Sequence, residues 1–264
     1  MTALTSPRVV VVTGAGSGLG RAMTTELVFG GHSVVLAGRR EGPLQESIAL
    51  AAQQAADRAV PLDLADRMLA VPTDVTDPLA VADLFEATVS RFGRIDVLIN
   101  NAGGFAAPGA ADELSPADWD AAVAGNLTGS FLAAAEAMRR MKRQDPQGGR
   151  IVNNGSISAH VPRPRSVAYT TTKHAITGLT RSIELDGRGH GIRCTQLDIG
   201  NAATPMTERM ADGVPQPDGS TRPEPTFDPA HVGRLVRYVV ELPLEVTLPY
   251  VTIAAAEMPW IARG

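Results

Sequence analysis

Apolar residues in this chain fall into short β-branched runs, separated by longer stretches in which they recur every three or four positions. The first run, Val9-Val10-Val11-Val12, is continuous rather than alternating, the pattern of a strand covered on both faces. Comparable runs follow at 33–37, 68–72, 95–99, 151–154, 192–197 and 250–254. Between them, helical periods extend over 21–30, 41–67 with a break near Pro61, 78–92, 115–143, 169–186 and 229–242. Pro78 and Ser115-Pro116 mark helix starts, and Gly93 marks a stop. Each strand is far enough from the next for a crossover helix, which makes the strands parallel. The expected fold is α/β: a doubly wound parallel sheet of about seven strands with helices on both faces, forming one domain over 1–264.

Two stretches break the pattern. Asn126-Leu127-Thr128-Gly129 puts poor helix formers inside an apolar helical period, which predicts a local break that turns a polar side chain toward a site. After residue 197 periodicity disappears. Pro205, Pro215, Pro217, Pro223 and Pro225, with Gly213 and Gly219, exclude a regular helix over most of this stretch. A loop of that length beyond a parallel strand predicts a substrate lid at 205–227.

The first strand leads into Thr13-Gly14-Ala15-Gly16-Ser17-Gly18-Leu19-Gly20 and then a helix. Backbone N–H groups at a helix start attract anions, and glycine lets the backbone come close, so this turn is a candidate for a phosphate-bearing cofactor. Its spacing is G-x-x-x-G-x-G at Gly14, Gly18 and Gly20, because Leu19 stands where G-x-G-x-x-G needs its last glycine. Gly38-Arg39-Arg40 follows the second strand, where a dinucleotide fold would place an acid against the ribose hydroxyls. A guanidinium pairs with a 2′-phosphate through two hydrogen bonds, and no carboxylate repels that phosphate here. The alternative is a pair of solvated arginines at a helix start.

Composition narrows the function. Net charge is -4 and aromatics are 4 %, which argues against a nucleic-acid surface. No apolar run approaches the ~18 residues of a membrane span, and residues 1–7 lack a leader pattern, so a cytoplasmic protein is expected. Cys194 is the one cysteine and sits among apolar residues as a small buried hydrophobe. His32, His174, His190 and His231 have no metal-ligand spacing, and no metal is expected. His160, beyond Ser158-Ala159, is a candidate pocket residue, or else a solvated loop residue.

Tyr169-Thr170-Thr171-Thr172-Lys173 opens a helix, and positions four apart share a helix face, so Tyr169 and Lys173 face one cavity. With these residues the chain resembles the short-chain dehydrogenase/reductase family over about residues 8–240. The family's elements occur in order: Thr13-Gly14-x-x-x-Gly18-x-Gly20, Asp74, Asn100-Asn101-Ala102-Gly103, Asn126, Ser156 and Tyr169-x-x-x-Lys173. The resemblance implies a Rossmann-like fold and a catalytic set of Asn126, Ser156, Tyr169 and Lys173. It implies cofactor contacts at Gly14, Ser17, Gly18, Leu19, Gly20, Arg39, Arg40, Asp74, Val75, Asn101, Ala102, Gly103 and Thr204, besides Tyr169 and Lys173. The implied cofactor is NADP(H), with NAD(H) second, and the implied partners are a small carbonyl or alcohol substrate and further copies of the chain. Two departures stand out: Ile199-Gly200 replaces the common Pro-Gly, and Glu257-Met258-Pro259-Trp260 replaces an Asp-Gly-Gly ending.

Reducing a carbonyl needs a hydride donor and an acid. Free tyrosine has a pKa of about 10, and an ammonium ~6 Å away at an effective dielectric of ~20 favours the phenolate by about 3 kcal/mol, or two pKa units. Lys173 is therefore expected to bring Tyr169 into working range, with Ser156 bonded to the reacting oxygen. Two other functions fit the motifs: a dinucleotide-binding regulator without turnover, and an epimerase or dehydratase that keeps its cofactor. Arg139, Arg140, Lys142 and Arg143 form a basic helix end that would suit a carrier-bound substrate. Small apolar residues on the helices from Ser115 and Tyr169, among them Ala121, Ala122, Ala133, Ala134, Ala175 and Ile176, are candidates for a two-fold contact.

Overall fold

The computed structural model describes residues 6–58, 66–210 and 212–260. Seven parallel strands form one twisted sheet in the order β3-β2-β1-β4-β5-β6-β9. They are β1 (Val9–Thr13), β2 (Ser33–Gly38), β3 (Met68–Pro72), β4 (Val97–Asn100), β5 (Gly149–Asn154), β6 (Ile192–Gly200) and β9 (Tyr250–Ala254). The main helices are α1 (Gly18–Phe29), α2 (Glu41–Asp57), α3 (Pro78–Phe92), α4 (Pro116–Val123), α5 (Gly129–Met141), α6 (Val167–Gly187) and α7 (Ala230–Glu241). The order reverses between β1 and β4, so the crevice at their carboxyl ends is the expected ligand site.

The continuous apolar runs divide by alternation once they are in the sheet. Val10 and Val12 of β1 face a core with Met23 and Leu27 of α1 and Val232 and Val236 of α7. Val11 faces the opposite core, with Leu84 and Phe85 of α3 and Ala133 and Ala137 of α5. Each fully buried valine contributes about 1.5–3 kcal/mol, which is why a strand with no polar side has two covered faces here.

Local chemistry fixes the helix ends. The Asp77 carboxylate accepts from Leu79 N at 2.8 Å, Pro78 follows it, and Gly93 closes α3 with φ 81°. Ser115 Oγ likewise accepts from Asp118 N at 3.1 Å to start α4. The break foreseen at 126–129 is a π-helical turn over Ala124–Thr128 that joins α4 to α5.

Several boundaries differ from the sequence reading. β6 runs on to Gly200, because β9 pairs beside it and keeps Asp198, Ile199 and Gly200 in register with Thr252, Ile253 and Ala254. The helix from residue 41 ends at Asp57, and the break near Pro61 lies outside the described residues. Ala122, Ala133, Ala134 and Ile176 pack inward instead of lining a contact surface; the large exposed apolar side chains on these helices are Trp119, Phe131 and Leu185. Within 205–227 a short antiparallel ribbon pairs β7 (Val214–Pro215) with β8 (Thr221–Arg222). The two ends of that segment are tied together, since Phe227 N donates to Asn201 O and Ala203 N donates to Phe227 O. No helix among the described residues is long and apolar enough to cross a membrane.

Candidate active site

The glycine-rich turn is closely packed at Gly14 and Gly20, where a side chain has no room. Gly14 and Gly18 have φ of 68° and 51°, in the left-handed region. A Cβ on Gly20 would collide with Gly14 O, and one on Gly14 would lie 3.0 Å from Asn101 Nδ2. Asn101 binds this turn to β4: its Nδ2 donates to Thr13 O at 2.9 Å and to Gly14 O at 3.3 Å. Thr13 Oγ1 in turn accepts from the backbone N–H groups of Asn101 and Ala102, both at 3.0 Å.

The same asparagine continues toward α6. Asn154 Nδ2, at the end of β5, donates to Asn101 Oδ1 at 2.9 Å, and Lys173 Nζ donates to Asn154 O at 2.7 Å. One hydrogen-bonded line thus runs from the glycine turn to Lys173, across the ends of β1, β4 and β5.

A cleft of about 510 Å³ opens beside the turn, with Gly14, Ser17, Arg39, Asp74, Val75 and Asn126 among its lining residues. Arg39 and Arg40 are exposed on its rim, Arg40 as the residue before α2. The Asp74 carboxyl is held below its usual range by hydrogen bonds from Thr76, with a smaller contribution from Arg39. Gly14, Ser17, Gly103 and Phe105 also border a second recess of about 170 Å³, so the two spaces adjoin.

The second recess brings together Ser156, Tyr169, Lys173, Leu19 and Thr204. Ser156 follows β5 and its Oγ accepts from Ser158 N at 3.1 Å, which orients the hydroxyl. Ser156 is near enough to the Tyr169 side chain to pull its hydroxyl pKa down. Phe105 meets the Tyr169 ring edge-on at 5.1 Å. Lys173 Nζ lies 5.7 Å from the centre of that ring.

The electrostatics differ from the sequence expectation. Burial pushes the Tyr169 hydroxyl up, outweighing nearby Ser156 and the Arg163 charge, which pull it down. Burial also pulls Lys173 down to about 8, against an opposing attraction from Asp198. Desolvation, which helix spacing alone does not reveal, is the largest effect on each group.

Asn126 sits on the π-helical turn, buried, and clamps the loop after β4. Its Oδ1 accepts from Gly104 N at 2.8 Å, and its Nδ2 donates to Gly104 O at 3.1 Å and to Thr172 Oγ1 at 3.5 Å. Its amide is committed to this loop and to α6. His160 neither lines the recess nor stands free in solvent: its Nε2 lies 2.7 Å from Asp198 Oδ2.

Asp198, Arg163, Glu224 and Phe105 are part of this neighbourhood and carry no motif. A signal for Asp198 existed, namely a carboxylate directly beyond the apolar residues of the sixth strand. Among the described residues no three His, Cys, Asp or Glu side chains form a metal-binding group.

Fold and site together define a doubly wound α/β protein whose glycine-rich first turn shares a crevice with a Ser–Tyr–Lys cluster. The family model described as short chain dehydrogenase matches residues 8–214. A 2-(R)-hydroxypropyl-CoM dehydrogenase of Xanthobacter autotrophicus is 36 % identical over 207 residues, 78 % of each chain. A 3beta-hydroxysteroid dehydrogenase of Mediterraneibacter gnavus is 32 % identical over 78 % of this chain and 70 % of that one. Among solved structures, an actinorhodin polyketide ketoreductase with NADPH superposes with a TM-score of 0.79 at 26 % identity, covering 94 % of this chain and 96 % of the other. The chain belongs to the short-chain dehydrogenase family of oxidoreductases.

Proposed function

We propose that this protein transfers a hydride between NADP(H) and a carbonyl or secondary alcohol, with Ser156, Tyr169, Lys173 and Asn126 as its catalytic set. The observation that carries this reading is that one recess brings Ser156, Tyr169 and Lys173 together, Tyr169 and Lys173 from one helix face, and is continuous with the glycine-turn cleft. The residues fit a dinucleotide: Gly14, Gly16 and Ser17 keep the cleft wall at the turn free of bulky side chains, and two exposed arginines stand on its rim.

A nicotinamide held in this cleft would supply the hydride for reduction and accept it in oxidation. Tyr169 gives its hydroxyl proton to the carbonyl oxygen as the C–H bond forms, and takes it back in the reverse direction. Burial favours the protonated phenol, which suits an acid for reduction. Ser156 donates to the same oxygen and steadies the charge that develops there. Lys173, held by Asn154 O, presents a cation to the site while it keeps its proton, below about 8. Asn126 keeps the Gly103-Gly104 loop at the cleft wall and braces α6 through Thr172.

Phe105, Ile157, Ile199, Met206 and Met210 line the recess, which favours a ketone or alcohol on an apolar body. A carrier-bound substrate is less favoured, because Arg139 and Arg140 of the basic helix end are paired with Glu136 and Glu86. The segment 205–227 acts as the lid over this recess, and the protein works as a homo-oligomer. The test is cofactor oxidation on a panel of ketones with NADPH and NADH. Consumption with NADPH is the expected result. Binding without turnover would point to a regulator, and turnover without net consumption to an epimerase or dehydratase.

A further inference from the structure

β6, flanked by β5 and β9, carries a carboxylate near its carboxyl end. Asp198 is fully buried. Its Oδ1 accepts from Ser156 N at 2.9 Å and from Gln196 Nε2 at 2.8 Å. Its Oδ2 is 2.7 Å from His160 Nε2 and 3.1 Å from Gln196 Nε2. Gly155 makes room for it, since a Cβ there would collide with Asp198 Oδ1. The His160 side chain is 43 % exposed and forms the outer cover of the carboxylate.

A buried carboxylate opposes folding unless it is well paired, and an apolar residue would fill this strand position more simply. What distinguishes the position is its neighbour: the bond to Ser156 N holds a residue that shares its recess with Tyr169 and Lys173. We propose that Asp198, covered by His160, is a positioning residue for the reaction assigned above: its hydrogen bond fixes Ser156, and its carboxylate is the buried charge behind the Ser156–Tyr169–Lys173 cluster. The inference rests on that reading of the site.

The charged and titratable groups around it are few. The segment after β5 contributes His160 and Arg163, and α6 contributes Tyr169 and Lys173. Glu224 of the lid faces the site through Arg163, and β9 places Thr252 opposite Asp198. Asp198 raises both Tyr169 and Lys173, whereas Arg163 pulls Tyr169 the other way. Both effects of Asp198 keep the pair protonated, the state needed to deliver a proton to a ketone.

The test uses Asp198→Asn, which keeps the volume and an acceptor for Ser156 N while removing the charge. The tyrosinate absorbance of the apoprotein is titrated, and Tyr169 is isolated by subtracting the matching Tyr169→Phe protein. Tyr169 in Asp198→Asn is expected to lose its proton at a pH lower by about half a unit or more, and the alkaline limb of ketone reduction to move the same way. His160→Ala, a change at the surface, admits water to the carboxylate, screens it, and is expected to give a smaller shift of the same sign. Asp198→Ala also removes the acceptor for Ser156 N, so it should lower kcat further, with Asp198→Asn restoring most of the loss. If Asp198→Asn fails to fold, the His160→Ala titration decides. Titrations and pH profiles that overlay the unmodified protein would overturn the proposal. If no ketone is turned over, the function assigned above fails, while the tyrosinate titration still judges this inference.

Discussion

Arg163 grips Glu224 through two parallel hydrogen bonds, Nη1 to Oε1 at 2.9 Å and Nη2 to Oε2 at 2.6 Å. The pair joins the segment after β5, which carries Ser156, to the segment proposed as the lid. Asn201 Nδ2 adds a bond to Glu224 Oε2 at 2.8 Å and Gln216 Nε2 one to Oε1 at 3.1 Å. Burial alone would raise the Glu224 carboxyl, but the hydrogen bonds from Arg163, Asn201 and Gln216 outweigh it and hold it at about 2.

That pairing gives the proposed lid a pH dependence. Because the folded value lies below the ordinary 4.5, the carboxylate stabilises the docked segment above that pH, and the contribution is lost as pH falls toward about 2. Glu224→Gln should imitate the acid state at neutral pH. We expect limited proteolysis within 206–227 to be several-fold faster in Glu224→Gln, and slower in the unmodified protein once NADPH is added. Cleavage indifferent to both the substitution and the cofactor would leave 205–227 an ordinary surface loop.

Tyr169→Phe removes the proposed proton donor and leaves the ring against Phe105. Turnover should fall by about 10²–10⁴-fold while NADPH affinity stays nearly constant, measured by steady-state kinetics beside a fluorescence titration. In the unmodified protein, reduction should decline as pH rises through about 8, where Lys173 loses its proton. A Tyr169→Phe protein with most of its activity would remove Tyr169 from its role.

Arg39 stands exposed at the cleft rim near Asp74, and the proposed preference for NADP(H) sets it against a 2′-phosphate. A charge-assisted hydrogen bond of about 1.5–3 kcal/mol corresponds to roughly ten- to a hundredfold in affinity. Arg39→Asp should weaken NADPH binding by that factor and spare NADH. Equal affinity of the unmodified protein for both cofactors would contradict the proposed preference.

Gly20→Ala should lower the melting temperature and cofactor affinity together, because its Cβ collides with Gly14 O inside the turn. Gly178 of α6 is the control: a Cβ there meets nothing within 4 Å, so Gly178→Ala should be neutral or stabilise by about 0.5–1 kcal/mol. Thermal melting with and without NADPH separates the two.

Phe131 on α5 and Leu185 on α6 are 53 % and 66 % exposed, which fits burial in an assembly. Light scattering at micromolar concentration should show an oligomer, and Phe131→Glu with Leu185→Glu should dissociate it. A monomeric unmodified protein would refute the assembly.

Much of the architecture was legible in the chain because it depends on local chemistry. Continuous valine runs, Pro78 and Ser115-Pro116 at helix starts and Gly93 at a stop carry their structural meaning within a few residues, and the seven-stranded parallel sheet agrees with them. The poor helix formers at Asn126 and Gly129 announced the π-helical turn for the same reason. Tyr169 and Lys173 face one recess because the helix period alone puts them on one face.

What the chain did not announce depends on strands and loops meeting across long separations. Asp198 looked like the start of a loop, and becomes the buried partner of Ser156 and His160 only because β9 pairs beside β6 and prolongs it to Gly200. Arg163 and Glu224 lie far apart in sequence and meet only when the 205–227 segment folds back, its ends tied at Asn201 and Phe227. The ionisation of Tyr169 and Lys173 was likewise decided by tertiary structure. Charge spacing along a helix gives the Coulomb attraction, but the larger effect, desolvation, exists only once the sheet and the loops have enclosed both groups.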